Sequence, residues 1–420
     1  MAMKTVKYFK ISSVTALTAI MLTPFSLQAA SGYFDARNDA MGGTGVASSN
    51  FATAPLANPA LLTKGQAEGA ISLILPSVGG QISDKDKMID KIDDVNSTVD
   101  YYRNVYKSFD ASNLGALLDS YARIRSASGG LANQLRDLRG NRADGSAGAA
   151  IVVAVPNETL PFAFVTKAYG TAHLQTDVAQ SDIDYLDAVA EGKRIPAPGD
   201  QYLLRSSATG VAAVVADYGI AVAHKFNVGG QAVSVGITPK LQQTYLYNYR
   251  ALVYNFNKNK VTNSEYRTND TGFNLDAGLS TDVGDSWTLG LSAQNLISRN
   301  IETKKVEGYR DTYQIRPLVT AGAAWHSETL TASLDVDATA TKRFKSQNDS
   351  QYAGVGVEYR VLNWLQLRGG YRADMKSNDT DVVSAGIGIA PFNNRVHLDL
   401  AGSVGEDNTW GAMAQLGFSF

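Results

Sequence analysis

The stretch Leu330-Thr331-Ala332-Ser333-Leu334-Asp335-Val336-Asp337-Ala338-Thr339-Ala340-Thr341 decides how the rest of the chain is read. Leu330, Ala332, Leu334, Val336, Ala338 and Ala340 alternate with Thr331, Ser333, Asp335, Asp337, Thr339 and Thr341. Period two sends the two sets to opposite faces of a β-strand, one apolar and one polar. The run is longer than a usual soluble strand and long enough to cross a bilayer at a tilt.

The same pattern recurs on both sides of it. Val233, Val235 and Ile237 alternate with Ser234, Gly236 and Thr238; Phe273, Leu275, Ala277 and Leu279 with Asn274, Asp276, Gly278 and Ser280; Val396, Leu398 and Leu400 with His397, Asp399 and Ala401. Turn residues divide the chain into strands near 68–81, 147–156, 161–176, 202–224, 231–254, 264–283, 286–298, 311–326, 328–343, 349–361, 364–375, 380–391, 394–405 and 409–420. Every second connection is short, as at Asn227-Val228-Gly229-Gly230, Gly284-Asp285 and Leu362-Asn363, and the others are longer and more polar. Tight turns at one end and long loops at the other predict an all-β fold: a transmembrane antiparallel β-barrel of about fourteen strands.

The ends of the chain agree. Trp410, Ala412, Ala414, Leu416, Phe418 and Phe420 share one face of the last strand, which resembles the C-terminal aromatic signature of barrels inserted by the outer-membrane assembly machinery. Tyr245, Tyr247 and Tyr249 share a face near a loop end and are expected in an aromatic girdle. Lys4, Lys7 and Lys10 precede an apolar stretch, Ile11 to Leu27, that ends in Gln28-Ala29-Ala30-Ser31. This reads as a secretory signal peptide over 1–29. The barrel is therefore expected in the outer membrane of a Gram-negative cell, with lipid and lipopolysaccharide as its surroundings.

Composition removes other classes. The 420 residues carry 38 Lys+Arg against 40 Asp+Glu, so nucleic-acid binding is not expected. The chain has no Cys, which excludes disulfides, thiolate metal sites and a lipid-anchored N-terminus. The four histidines, His173, His224, His326 and His397, have no metal-ligand spacing, and no Gly-x-Ser-x-Gly elbow is present. Neither an enzyme nor a cofactor is expected.

Two segments do not read as strand. Residues 31–66 are a Gly/Ala/Asn-rich coil in which Gly42, Gly43 and Gly45 permit tight turns and close backbone approach. In 84–142, Met88, Ile92, Val95, Val99, Tyr102, Tyr106 and Phe109 follow a helical period, and Leu114, Leu117, Leu118, Tyr121 and Ile124 continue it. The plain reading is a small packed helical cap, either outside or folded into the lumen. A shorter helix is expected from Ser181 to Glu191. The inward residues Asp335, Asp337, Glu358, Arg368, Arg372 and Asp399 read as a polar lumen network.

Phe34-Asp35-Ala36-Arg37 through Ala40-Met41-Gly42-Gly43-Thr44-Gly45, followed by Asn58-Pro59-Ala60-Leu61, resembles the FadL-type outer-membrane family. Together with Ile89-Asp90-Lys91-Ile92-Asp93-Asp94, the chain is similar to the family labelled conjugal transfer protein TraF, and nothing in it resembles the thioredoxin-like protein of the same label. Ser48-Ser49-Asn50-Phe51 departs from the acidic pair common in the family at that place. The resemblance implies an N-terminal hatch over 30–66, a barrel over 67–420 and the helical insertion 84–142 between the first two strands. It implies hatch-gated diffusion of hydrophobic small molecules such as long-chain fatty acids. Arg37, Met41, Gly42, Gly43, Gly45, Asn58 and Pro59 would form the hatch, and Met88, Ile92, Val95, Val99, Tyr102 and Leu118 would line a ligand cleft. The alternative is a non-transporting envelope or surface component linked to conjugal DNA transfer.

Overall fold

The computed structural model describes residues 34–65, 71–84, 86–196, 200–252, 255–257 and 260–420. The segment expected as a signal peptide lies outside them.

A sheet of fourteen strands curls into a closed antiparallel barrel. Its strands are β1 Ser72–Ser83, β2 Arg142–Val155, β3 Phe162–Asp177, β4 Ser207–Val228, β5 Gln231–Leu252, β6 Arg267–Val283 and β7 Trp287–Gln294. After an excursion into the hairpin β8 Arg299–Glu302 and β9 Thr312–Ile315, they continue as β10 Leu318–His326, β11 Leu330–Asp337, β12 Tyr352–Leu362, β13 Leu365–Asp374, β14 Val382–Ile389, β15 Val396–Gly405 and β16 Thr409–Ser419. β10 pairs directly with β7, and β16 returns to pair with β1.

Alternation sets the two faces. Ser333, Asp335 and Asp337 turn into the lumen, in register with Gly356, Gly354 and, on β10, Thr320. Leu334 and Val355 point outward and are exposed, as are Phe164, Ile220, Phe273, Leu289, Val383 and Trp410 on other strands. Phe273 is 75% exposed. A continuous belt of uncovered large apolar side chains around a cylinder is a surface built for lipid.

The strand that opened the reading is shorter than its alternation implies. It ends at Asp337, and Thr339 instead donates its hydroxyl to the Pro317 carbonyl at 2.9 Å. The neighbouring strand starts only after Pro317, which has no N–H to continue a ladder. Pro317 also splits the run expected over 311–326, so Thr312–Ile315 pairs with Arg299–Glu302 and leaves the wall. The expected girdle is likewise different at two positions. Tyr247 and Tyr249 are buried, and Tyr249 packs its ring against Phe256 and Tyr266.

For Tyr249 the reason is the helical insertion. Helices α1 Ala36–Ala40 and α2 Ala54–Ala57 belong to the N-terminal segment; α3 Met88–Lys107 and α4 Leu114–Leu138 form a hairpin between β1 and β2, and α5 Gln180–Ala190 follows β3. The hairpin and α5 bury one apolar seam with Ala143, Leu174, Ala208, Tyr249 and Ala251. Those five residues have the outward parity of their strands, opposite to Asp144, His173, Asp217 and Lys240. The helices therefore flank the outer wall at the long-loop end, where β4 and β5 run on for 22 residues each, and do not enter the lumen.

Candidate functional site

The lumen is filled from the short-turn end by the N-terminal segment. Asp35 caps α1, accepting from the Arg37 and Asn38 amides. Arg37, on the first turn, extends a buried guanidinium to Glu358 and makes two bonds of 2.9 Å to its two oxygens, while its Nη1 donates to the Ser48 carbonyl at 2.7 Å. Glu358 also accepts from Arg368 at 2.7 Å, and Arg368 bonds Asp399. A planar bidentate pair of this kind fixes orientation as well as charge.

The next residues bind the wall through backbone. The Gly42 N–H donates to Ser384 Oγ at 3.0 Å, and the Gly45 and Val46 amides donate to one oxygen of Asp335 at 2.7 and 2.9 Å. Met41 is fully buried, and its carbonyl accepts from Thr44. Gly42 and Gly43 have φ of +69° and +81°, a turn that other residues make only with strain. Asn58 donates to the Val46 carbonyl at 2.8 Å and the Leu279 carbonyl at 3.0 Å, and its oxygen caps the 3-10 turn Pro59–Lys64. Lys64 reaches Asp282 at 3.0 Å. All seven residues expected in the hatch thus lie inside the cylinder, against its wall.

Wall glycines make this fit possible. A Cβ at Gly370 would lie 2.1 Å from the Gly42 nitrogen, at Gly356 2.3 Å from the Met41 oxygen, at Gly290 2.4 Å from the Val46 oxygen and at Gly236 2.4 Å from the Ala60 nitrogen. Luminal glycines on four strands form the bed on which the hatch backbone rests.

The expected polar residues are brought together in part. Glu358, Arg368 and Asp399 form the chain that holds Arg37, and Asp335 holds Gly45. Asp337 accepts from Thr320 at 2.7 Å and the Tyr352 amide at 3.1 Å, and Arg372 donates to Gln81 at 3.2 Å beneath the Tyr352 ring. Burial pushes the Asp39 carboxyl on α1 up to about 6, with Arg372 opposing the shift, and burial raises Asp35 as well.

Met88, Ile92, Val95, Val99 and Tyr102 lie in the packed seam of the helices, and Leu118 stands outside it, 61% exposed. Burial raises the Tyr102 phenol there.

Two features are absent from the sequence reading. The first is a buried quartet on β3–β6: Lys240 bonds Asp217 and Asp276 at 2.8 and 2.9 Å, and Lys167 stands 4.0 and 3.8 Å from them. Its signal was present, since each of the four occupies a luminal parity position mid-strand. The second is a plug from the long-loop end. Ile301, Tyr313 and Ile315 of the β8–β9 hairpin, with Phe344, pack on the luminal residues Val211, Ala213, Val215 and Leu246. Among the described residues, cavities include one of about 180 Å³ at the long-loop mouth, one of about 70 Å³ at the waist and one of about 110 Å³ beside the hatch. Among the described residues no group of three or more His, Asp or Glu is placed to hold a metal ion.

The architecture is similar to solved barrels. The toluene transporter TbuX of Ralstonia pickettii matches with a TM-score of 0.52 at 14% identity, covering 93% of this chain and 99% of that one. A TodX deltaS2S3 mutant, named as a monoaromatic hydrocarbon channel, matches with 0.51 at 13% identity, covering 92% and 98%. A Pseudomonas aeruginosa FadL homologue matches with 0.49 at 11% identity, covering 94% and 99%. No curated protein matches in sequence. The family described as "F plasmid transfer operon, TraF, protein" matches residues 55–337, more than half of the chain. A plugged fourteen-strand barrel, this chain belongs to that TraF family.

Proposed function

We propose that the protein is an outer-membrane channel for hydrophobic small molecules, passed by diffusion when the hatch moves. The observation that carries this reading is full-length similarity of fold to TbuX, a protein named for toluene transport. A barrel plugged from both ends suits such cargo, because an apolar solute needs no standing water column. The long-loop end faces outside, with α3, α4 and α5 beside the outer leaflet. Residues 30–66 act as the hatch, and Arg37, Met41, Gly42, Gly43, Gly45, Asn58 and Pro59 hold it closed. Met88, Ile92, Val95, Val99, Tyr102 and Leu118 line an apolar cleft only when the helices part, since five of them are packed together. Phe420, 76% exposed at the end of the last strand, presents its ring to the assembly machinery.

The test is uptake of a labelled long-chain fatty acid and of labelled toluene by cells that lack their own fatty-acid porin, with and without this protein. Uptake of either that depends on the protein supports the reading. Uptake of neither, with the barrel shown to be inserted by its altered gel mobility on boiling, overturns it.

A further inference from the structure

The three cavities lie in series. The mouth and waist cavities share Thr171 and Arg343 as wall, and the waist and hatch cavities share Phe34, Gln294 and Leu318. Arg343 and Phe34 are the largest side chains at the two shared walls. Arg343 is clamped by Ser350 at 2.9 Å, Tyr352 at 3.2 Å and Asp379 at 3.4 Å. Phe34 is held edge-on to Tyr169, with the Lys167 ammonium 5.3 Å from its ring centre.

The waist is cationic. Lys167, Arg316, Lys342 and Arg343 line it, and among the described residues no Asp or Glu does. Their counter-charges lie outside the waist wall: Lys342 pairs with Asp349, and Arg343 with Asp379, which lines the mouth cavity. Lys167 pairs with Asp217 and Asp276 at 4.0 and 3.8 Å, longer than the contacts those carboxylates make with Lys240. Arg316 donates to the Arg299 and Ile315 carbonyls and to Asn300, all neutral acceptors. The mouth cavity carries Asp144 and Asp379 and the hatch cavity Asp35, Asp335 and Asp337, so of these three cavities the waist is the one whose charged wall residues are all cations, and low-dielectric walls focus that local field. Rings of Lys and Arg are how pores select anions.

We propose that the lumen is a second, anion-selective path for small hydrophilic anions, with the waist as its selective element and Phe34 as its inner gate. This goes beyond an apolar route, which has no use for four cations around the smallest of these three cavities. The probe is chloride.

Full-length protein in planar bilayers under a potassium chloride gradient tests it. Wild type is expected to be nearly silent. Phe34→Ala is expected to raise conductance at least tenfold, with a reversal potential on the anion side. Adding Arg316→Gln, or separately Lys167→Gln, is expected to cut the chloride-over-potassium preference at least twofold. Using two charge variants protects the result against a folding defect in the Lys167 quartet. Openings that are cation-selective or unselective overturn the proposal. So does continued silence in both Phe34→Ala and Phe34→Ala/Arg343→Ala, when both are shown to be inserted and heat-modifiable.

Discussion

Gly370 on β13 and Gly42 in the hatch turn meet backbone to backbone across the lumen, so closely that a Cβ on Gly370 would lie 2.1 Å from the Gly42 nitrogen. The hatch is seated by the absence of side chains on the wall as much as by the bonds it makes. Gly370→Ala has no flexible neighbour to displace, because Met41 and Gly42 backbone atoms are what it meets. Overpacking a close-packed site costs roughly 1–3 kcal/mol. The expected outcome is a barrel that still shifts on boiling but whose residues 34–65 are cut by added protease. A hatch as resistant as wild type would show that the contact yields.

Arg37 and Glu358 make a buried bidentate contact between hatch and wall. Arg37→Ala leaves Glu358 buried with Arg368 alone and removes the bond to Ser48. Breaking one side of a buried pair costs roughly 3–5 kcal/mol, so hydrogen exchange in α1 is expected to accelerate strongly. Arg37→Lys keeps the charge but loses the planar fork and is expected to recover only part of the protection. Full protection in Arg37→Lys would mean that charge alone holds the hatch.

The legible part of this structure was the part with a period. Every barrel strand was visible because lipid on one side and a polar interior on the other impose alternation. The end of β11 was not, since Thr339 and Thr341 keep the alternation after Pro317 has removed the partner strand. The seven hatch residues stood out as a motif, yet the glycines that receive them did not. Gly236, Gly290, Gly356 and Gly370 are scattered in sequence and become one surface only when strand register is known. The β8–β9 plug was hidden for a related reason: Ile301 and Phe344 fall in stretches that read as polar loops from the sequence, and nothing local says that those stretches fold inward.

Docking of the proposed hatch is expected to depend on pH through Asp39. Its carboxyl is pushed up to about 6 from 3.8, chiefly by burial. A carboxyl raised on docking destabilises the docked state where it is ionised, above about pH 6. That cost fades as pH falls through 6 and is gone below the undocked value. Asp35 is shifted in the same direction. Protease resistance of residues 34–65 is therefore expected to increase between pH 7.5 and pH 5. Asp39→Asn is expected to remove most of that increase and to resemble the acidified wild type at pH 7.5. Equal pH dependence in wild type and Asp39→Asn would assign the effect elsewhere.

The plug at the long-loop end rests on an apolar patch of the luminal wall, and this packing has a measurable signature. Phe344 is 1% exposed, and its ring centre lies 5.1 Å from that of Tyr313. Both rest on Val211, Ala213, Val215 and Leu246, whose backbones are already paired within the β4–β5 ladder. Phe344→Ala opens a cavity under the hairpin, a change that costs roughly 3–5 kcal/mol in a core. Because the wall keeps its own ladder, the loss is expected to stay local. Amides at 299–302 and 312–315 should exchange faster, while those at 211–215 keep their protection. Loss of protection in both sets would make Phe344 part of the barrel's own core, and the hairpin would then not be a separate, displaceable plug.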